Sequence, residues 1–341
     1  MTIDLTSGQD ESREYLLADT PSDPELRESV SMWISDDRGV IGLPRVGIEK
    51  LGRSWQTPDI QVNLAFPNGR AVIVREPGAG AAPVDDDGVS RTLRAGALEF
   101  RCVEPFSTWT LSYEGNGLDT TAKALARGAA DDARPIPLEI HVETTMAAPA
   151  WIPGALVPEA EKMMNEGIEG RMISDRYEQL CRARGTVRVG DEEHSFTGTG
   201  LRIRRQGVRN VDGFWGHCWQ SALFPSGRGF GFLAFPPRPD GEDSFNEGYV
   251  FDGERLVAAQ VVEVPWLTRL EPTGQDVSFV LRTDDGDVRI EGETVLSTFV
   301  AGGSHKDFAP ALQQAGARYH WDGDETYGMI ERSIPVDMLT N

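Results

Sequence analysis

Trp215, His217 and Trp219 stand two residues apart. In a β-strand that spacing places all three on one face, with Phe214, Gly216, Cys218 and Gln220 on the other. A histidine between two indoles makes a wall that can hold an apolar molecule and exchange a proton with it near neutrality. A histidine satisfied inside an aromatic core would be spelled the same way. Two acids could complete a proton-transfer pair with His217: Asp212, just upstream, and Glu247. Tyr249 shares a face with Glu247 and would add a phenol to the same wall.

Upstream, Arg202 and Arg204 share a face with Gly200, while Ile203 and Arg205 point the other way. Two inward arginines need carboxylate partners or an anionic ligand group. Asp212, Glu178, Glu247 and Glu143 are the candidate partners; ligand recognition is the alternative. His141 and Glu143 share another strand face, where the acid could orient the imidazole or simply hydrogen bond to it. Cys218, flanked by apolar residues, reads as a small core residue. No GxSxG elbow or glycine-rich phosphate loop occurs, so neither serine-nucleophile nor dinucleotide chemistry has support, and no cofactor is expected. Nothing imposes metal-ligand spacing, and no metal is expected.

The elements that must position these groups are strands. Alternation at Val30, Met32 and Ile34, and at Val62, Leu64 and Phe66, ends in Asp-Arg-Gly and Pro-Asn-Gly turns, the pattern of hairpins. From Trp215 onward a meander of strands is separated by turns such as Asp252-Gly253 and Asp285-Gly286. Such up-and-down strands close naturally into a barrel, because closure removes the edges. Helical periodicity is confined to 121–130, 158–176, where Gly167 and Gly170 should interrupt it, and 306–317. Phe66-Pro67-Asn68-Gly69-Arg70 returns as Phe224-Pro225-Ser226-Gly227-Arg228, as a duplicated pair of β-domains or a recurrent hairpin solution would produce.

The 341 residues suffice for two such domains, with 39% hydrophobic residues to fill their cores. A net charge of −21 argues against nucleic acid or an anionic membrane surface as partner. Three scattered cysteines, the absence of a signal-like N-terminus and the lack of a long apolar run point to a reducing cytoplasm, without integral membrane association. Nothing in the sequence sets an oligomeric state.

Several segments together resemble the tandem-lipocalin group of bacterial carotenoid 1,2-hydratases (hydroxyneurosporene synthase) and AttH-like proteins, particularly a branch in actinobacteria and proteobacteria. They are Met32-Trp33-Ile34 with Gly42-Leu43-Pro44-Arg45, Glu104-Pro105-Phe106-Ser107-Thr108-Trp109, Arg176-Tyr177-Glu178-Gln179, and Tyr327 to Glu331. The family's strand G-x-G-x-R-D-H-S-W-G-x-R-D is matched by Gly198 to Asn210, keeping the glycines, Arg202 and Arg209. Ile203 and Arg204 stand where the family has aspartate and histidine, the groups suited to protonating an alkene.

The resemblance implies an all-β chain of two lipocalin-like antiparallel β-barrels, tandem and calycin-like, with a few short helices. The expected division is a flexible lead-in at 1–25, an N-terminal domain at 26–190 and a C-terminal barrel at 191–341. The expected activity is that of a cofactor-independent hydratase, lyase or isomerase on a terpenoid, steroid or aromatic metabolite inside a barrel. A non-catalytic carrier of an apolar ligand is the alternative. His217, Asp212 and Glu247 are the expected catalytic set. Arg202, Arg204, Arg209, Trp215, Trp219, Tyr249, Tyr177 and Glu178 are the expected ligand contacts.

Overall fold

Short apolar stretches alternating with polar residues and punctuated by glycine turns build nineteen strands and three short helices among the described residues. The computed structural model describes residues 3–128, 133–238, 240–300 and 310–340. The first sheet contains β1 (Leu26–Asp36), β2 (Gly42–Leu51), β3 (Asp59–Ala65), β4 (Arg70–Pro77), β5 (Gly80–Ala81), β6 (Thr92–Ala95) and β7 (Leu98–Glu104). It continues with β8 (Thr108–Thr121), β9 (Arg134–Met146), β10 (Arg176–Val189) and β11 (Glu192–Val208). β1 lies between β2 and β11, and a β4–β8 pairing closes the ring.

The second sheet is a closed up-and-down barrel. Its strands are β12 (His217–Leu223), β13 (Gly229–Ala234), β14 (Asn246–Phe251), β15 (Leu256–Glu263), β16 (Phe279–Thr283), β17 (Gly286–Val300), β18 (Pro310–Trp321) and β19 (Asp324–Pro335). The fold is therefore the all-β pair of barrels. The repeated Phe-Pro-x-Gly-Arg segments make the same turn, with Gly69 and Gly227 at φ 82° and 89°. They differ in place: one joins β3 to β4, the other the first two strands of the second barrel.

Period-two alternation sorts side chains between inside and outside. In β1, Val30, Met32 and Ile34 enter the first barrel's core with Val62, Leu64, Phe100 and Ile140, while Trp33 belongs to a separate cluster between the barrels. In β12, Cys218 and Ala222 enter the second barrel, whose interior is filled by rings of Phe224, Phe230, Phe232, Phe279 and Tyr319. Trp219, on the opposite face, joins Trp33 at 4.8 Å between ring centroids. This corrects the expected pocket inside a barrel: eight strands enclose a space that large side chains fill.

Three further expectations change. The boundary at 190/191 falls between β10 and β11, which pair along their whole length in the first sheet; the chain passes to the second between Val208 and His217. Within the lead-in, residues 11–16 are seated against the first barrel. A 3₁₀ turn at Glu11–Glu14 puts Glu14 in the first barrel at 0% exposure, and Leu16 is buried beside it. Of the helix expected at 306–317, residues 306–309 lie outside the described residues, and Pro310 to Ala317 belong to β18. Pairing with β17 and β19 overrides the helix preference of its alanines and glutamines. The other two helical expectations correspond to α1 (Ala122–Ala126), with 129 and 130 outside the described residues, and to α2 (Pro158–Glu166) and α3 (Ile168–Ile173), which are separated at Gly167 as expected, whereas Gly170 lies within α3 and does not interrupt it.

Candidate active site

The outward faces of the two barrels meet and leave between them a cavity of about 550 Å³. One wall is the first barrel's outer face: Trp33 from β1, Glu49 from β2, and Ile203 and Arg205 from β11. The other is the second barrel's: His217 and Trp219 from β12, Leu233 from β13 and Glu331 from β19. Phe214 and Phe235 add apolar surface, and Met172 and Ile173 of α3 close one side. Polar bonds tie the walls together. Trp219 Nε1 donates to Glu178 at 3.0 Å, Asn63 Nδ2 to Gln314 Oε1 at 2.8 Å, and Thr199 Oγ1 to the Tyr327 carbonyl at 3.0 Å.

At the centre of the second wall, His217 is 7% exposed and its ring lies against Phe214 at 5.5 Å. Its Nδ1 is 2.6 Å from Ser333 Oγ and its Nε2 is 3.3 Å from Glu331 Oε1. Backbone register explains the grouping: His217 pairs with Ser333 and Trp219 with Glu331, so all four face outward together. Burial alone would raise the Glu331 carboxyl, but the bond to His217, the Arg45 charge and the Gln314 amide outweigh it and hold the group below the usual range. The product is an imidazole and an ionised carboxylate, side by side on an apolar cleft wall. Such a pair can take a proton from carbon or oxygen and return one.

Arginines dominate the first wall. Eight basic side chains line the cavity against four acidic ones among the described residues, in a chain of net charge −21. Arg45 and Arg27 both bind Glu49, at 2.6 and 3.3 Å. Against the opposing effect of burial, these charges hold that carboxyl far below its ordinary range. Arg209 donates from Nε to the Met172 carbonyl at 2.8 Å, and burial brings its guanidinium down to about 10.

Of the eleven residues singled out in the sequence, His217, Trp219 and Arg209 line this cavity. The others have different employment. Arg202 and Arg204 point into the first barrel, paired with Glu14 and Glu28 at 2.7 Å each, and are sealed from any ligand. None of the four partners expected for them is used. Tyr177 donates to Glu14 in the same buried network. Glu178 lies behind the wall, bonded to Trp219 and 2.7 Å from Arg176. Asp212 is exposed on the loop before β12.

Glu247 is no partner for His217. It accepts hydrogen bonds from Trp151 Nε1 and from the backbone of Gly154, Leu156 and Val157 at 2.6–2.9 Å, clamping that loop to the second barrel. Tyr249 packs edge-on to Trp151, and Trp215 donates to the Pro236 carbonyl. His141 and Glu143 do not pair: Arg184 takes Glu143, and His141 faces Glu114 at 3.6 Å, half exposed. No cluster of three His, Cys, Asp or Glu side chains able to hold a metal occurs among the described residues.

Sequence reasoning missed Glu331, Arg205, Arg176, Glu49 and Trp33. Two signals were present. Alternation had already put Arg205 opposite Arg202 and Arg204, and Glu331 ended a recognised segment.

The arrangement has relatives among solved structures. An AttH assignment from Nitrosomonas europaea matches at TM-score 0.58 and 13% identity, over 94% of this chain and 98% of that one. CghA in complex with Sch210972 matches at TM-score 0.58 and 9% identity, over 92% and 89%. Kievitone hydratase from Nectria haematococca matches at TM-score 0.51 and 12% identity, over 95% and 94%. At such identities the likeness establishes the shared tandem fold. No curated protein sequence matches. Over residues 10–336 the chain fits the family described as domain of unknown function DUF7064, and it belongs to that family.

Proposed function

We propose that the inter-barrel cleft binds a hydrophobic small molecule and carries out cofactor-independent acid–base chemistry on it, as a hydratase, lyase or isomerase. His217 exchanges the proton at a C=C or C–O centre, and Glu331 orients its ring and supports the imidazolium that forms. The observation that carries this reading is the largely buried His217–Glu331 contact on a cavity wall shared with Trp33, Trp219 and Phe235. The low exposure of both side chains beneath the opposing barrel strengthens the charge interaction between them. The shared fold with kievitone hydratase supports a hydration or its reverse, and terpenoid, steroid or aromatic alkenes suit the indole lining.

The test is deuterium incorporation from D₂O into a panel of such alkenes and alcohols, read by mass spectrometry. H217A and E331Q should each lower incorporation by roughly 10²-fold or more, the scale of general acid–base catalysis. Undiminished incorporation by H217A would remove His217 from the mechanism.

One observation favours a carrier without chemistry. Ile203, in the place of the resembled family's aspartate, is aliphatic and faces the cleft. A carrier would return every bound compound unlabelled, from wild type and variants alike.

A further inference from the structure

Across the outer face of the first barrel, Glu49, Ser29, Arg205 and Arg176 stand at one height on the neighbouring strands β2, β1, β11 and β10. Arg205 and Arg176 are direct cross-strand partners, and like charges so placed oppose strand pairing. Arg176 has Glu178 at 2.7 Å. Arg205 is only 5% exposed, and its guanidinium has no ion pair or hydrogen bond among the described residues. The hydroxyl of Ser29 beside it is buried and unpartnered as well. Arg209 has a backbone carbonyl for its Nε and no carboxylate in direct contact among the described residues; Glu49, bound by Arg27 and Arg45, attracts it from farther away.

A buried cation facing other cations is destabilising unless a counter-charge arrives. Burial, Arg209 and Arg176 act to pull the proton from Arg205 and outweigh the attraction of Glu49, which makes no direct contact with it. Arg205 and Arg209 both border the cavity, whose opposite wall is aromatic.

We propose that Arg205, Arg209 and Arg176 form a receptor for the carboxylate of an amphipathic organic acid, whose apolar body rests on Trp33, Trp219 and Phe235. The guanidinium fork matches a carboxylate bidentately, and the ligand's charge adds the direct partner that Arg205 does not get from Glu49, which is held by Arg27 and Arg45. The proposal rests on the cleft being the ligand site and adds the charge and polarity of what enters. His217 and Glu331 then act on a molecule anchored by its acid group.

The experiment is calorimetric titration of the full chain with decanoate and with decanol, which share a tail and differ in charge. Wild type should bind decanoate at least ~10-fold more tightly, the worth of a hydrogen bond to a charged group. R205M should bring the two ligands within about twofold while keeping its affinity for decanol, and R209M should narrow the gap in the same sense. The apo R205M protein should melt at or above the wild-type temperature, because an unpaired buried charge has been removed. Equal affinity for both ligands in wild type would leave the cleft as an apolar site and overturn the receptor. Binding of neither would overturn both. R205M melting well below wild type with selectivity intact would make Arg205 a structural residue and end the proposal.

Discussion

Replacement of Glu14 tests whether the N-terminal segment is part of the first barrel. The carboxylate is fully buried and accepts from the Phe106 N–H at 3.1 Å, Trp109 Nε1 at 2.6 Å, Arg202 Nη2 at 2.7 Å and the Tyr177 hydroxyl. Arg202, also without solvent contact, lies between the rings of Trp109 and Tyr177 at 5.0 and 5.5 Å. E14A therefore leaves a buried guanidinium without its carboxylate and the Phe106 N–H and Trp109 Nε1 without an acceptor, while the Tyr177 hydroxyl keeps the Arg13 carbonyl at 3.1 Å. Breaking a buried pair from one side costs about 3–5 kcal/mol, and partial relaxation of the orphaned donors keeps the total near the upper end. At about 2.1 cal/mol/K per residue, 341 residues give a shift of roughly 1.4 °C per kcal/mol, so the melting temperature should fall by about 5–7 °C. Removing both charges in E14A/R202M should cost at least ~2 kcal/mol less than the sum of the single changes, the coupling expected of contacting groups.

The pH dependence has a fixed sign. Burial would raise the Glu14 carboxyl, but Arg202, Tyr177 and Trp109 outweigh it and hold it below its ordinary 4.5. A depressed acid contributes stability above its unfolded value and loses it as pH falls through the folded one. The gap between wild type and E14Q in urea midpoints should thus be constant at neutral pH and shrink below about pH 4.5. An E14A midpoint within about 1 kcal/mol of wild type would show that residues 10–16 are not seated in the barrel, refuting the network.

Two other expectations follow from buried groups. Burial pushes the thiols of Cys102 and Cys181 up to about 12 and that of Cys218 up to about 11, and all three are buried. A disulfide reagent at pH 8 should label none in the native protein and three in denaturant; rapid native labelling of Cys218 would contradict its place inside the second barrel. E247A should orphan the four donors of the 151–157 loop and destabilise by about 3 kcal/mol or more in thermal unfolding. If it instead left the melting temperature unchanged and abolished turnover, Glu247 would be a catalytic acid after all.

The all-β class, the hairpins and the interrupted helix at Gly167 were legible because they depend on local periodicity and turn chemistry. The direction each strand face looks was not. Every residue of β12 is buried, and so is every residue from Gly198 to Arg205. Alternation separates His217 from Cys218 and Arg204 from Arg205 without saying which set enters the barrel, since hydrophobic contrast vanishes when both faces are covered. Arg202 and Arg204 do face inward as expected, but the barrel interior holds Glu14 and Glu28 as their partners, and the cavity lies on the other face, with Arg205. Glu14 was illegible for another reason. Its partners lie 92 to 188 positions away in the chain, and an acidic N-terminal segment carries no local sign of burial. The glutamines and alanines of β18 misled through propensity, which strand pairing on both sides overrode.

The placement of the site follows from the size of the barrels. Eight strands leave an interior that Phe230, Phe279 and Tyr319 fill completely on one side of the molecule, while Glu14, Arg202 and Tyr177 occupy part of it on the other. Side chains that must touch a ligand then have to leave by the outer faces, where a lone barrel would expose them to water. The second barrel supplies the missing cover: Trp219 meets Trp33, and Glu331 is bonded through Gln314 to Asn63 across the gap. A strand buried on both sides can thus divide its labour residue by residue. Met32, Arg204 and Cys218 hold their barrels together, while their immediate neighbours Trp33, Arg205 and His217 face the cleft. Substitutions on the inward set should move stability first, and those on the outward set should move ligand binding first.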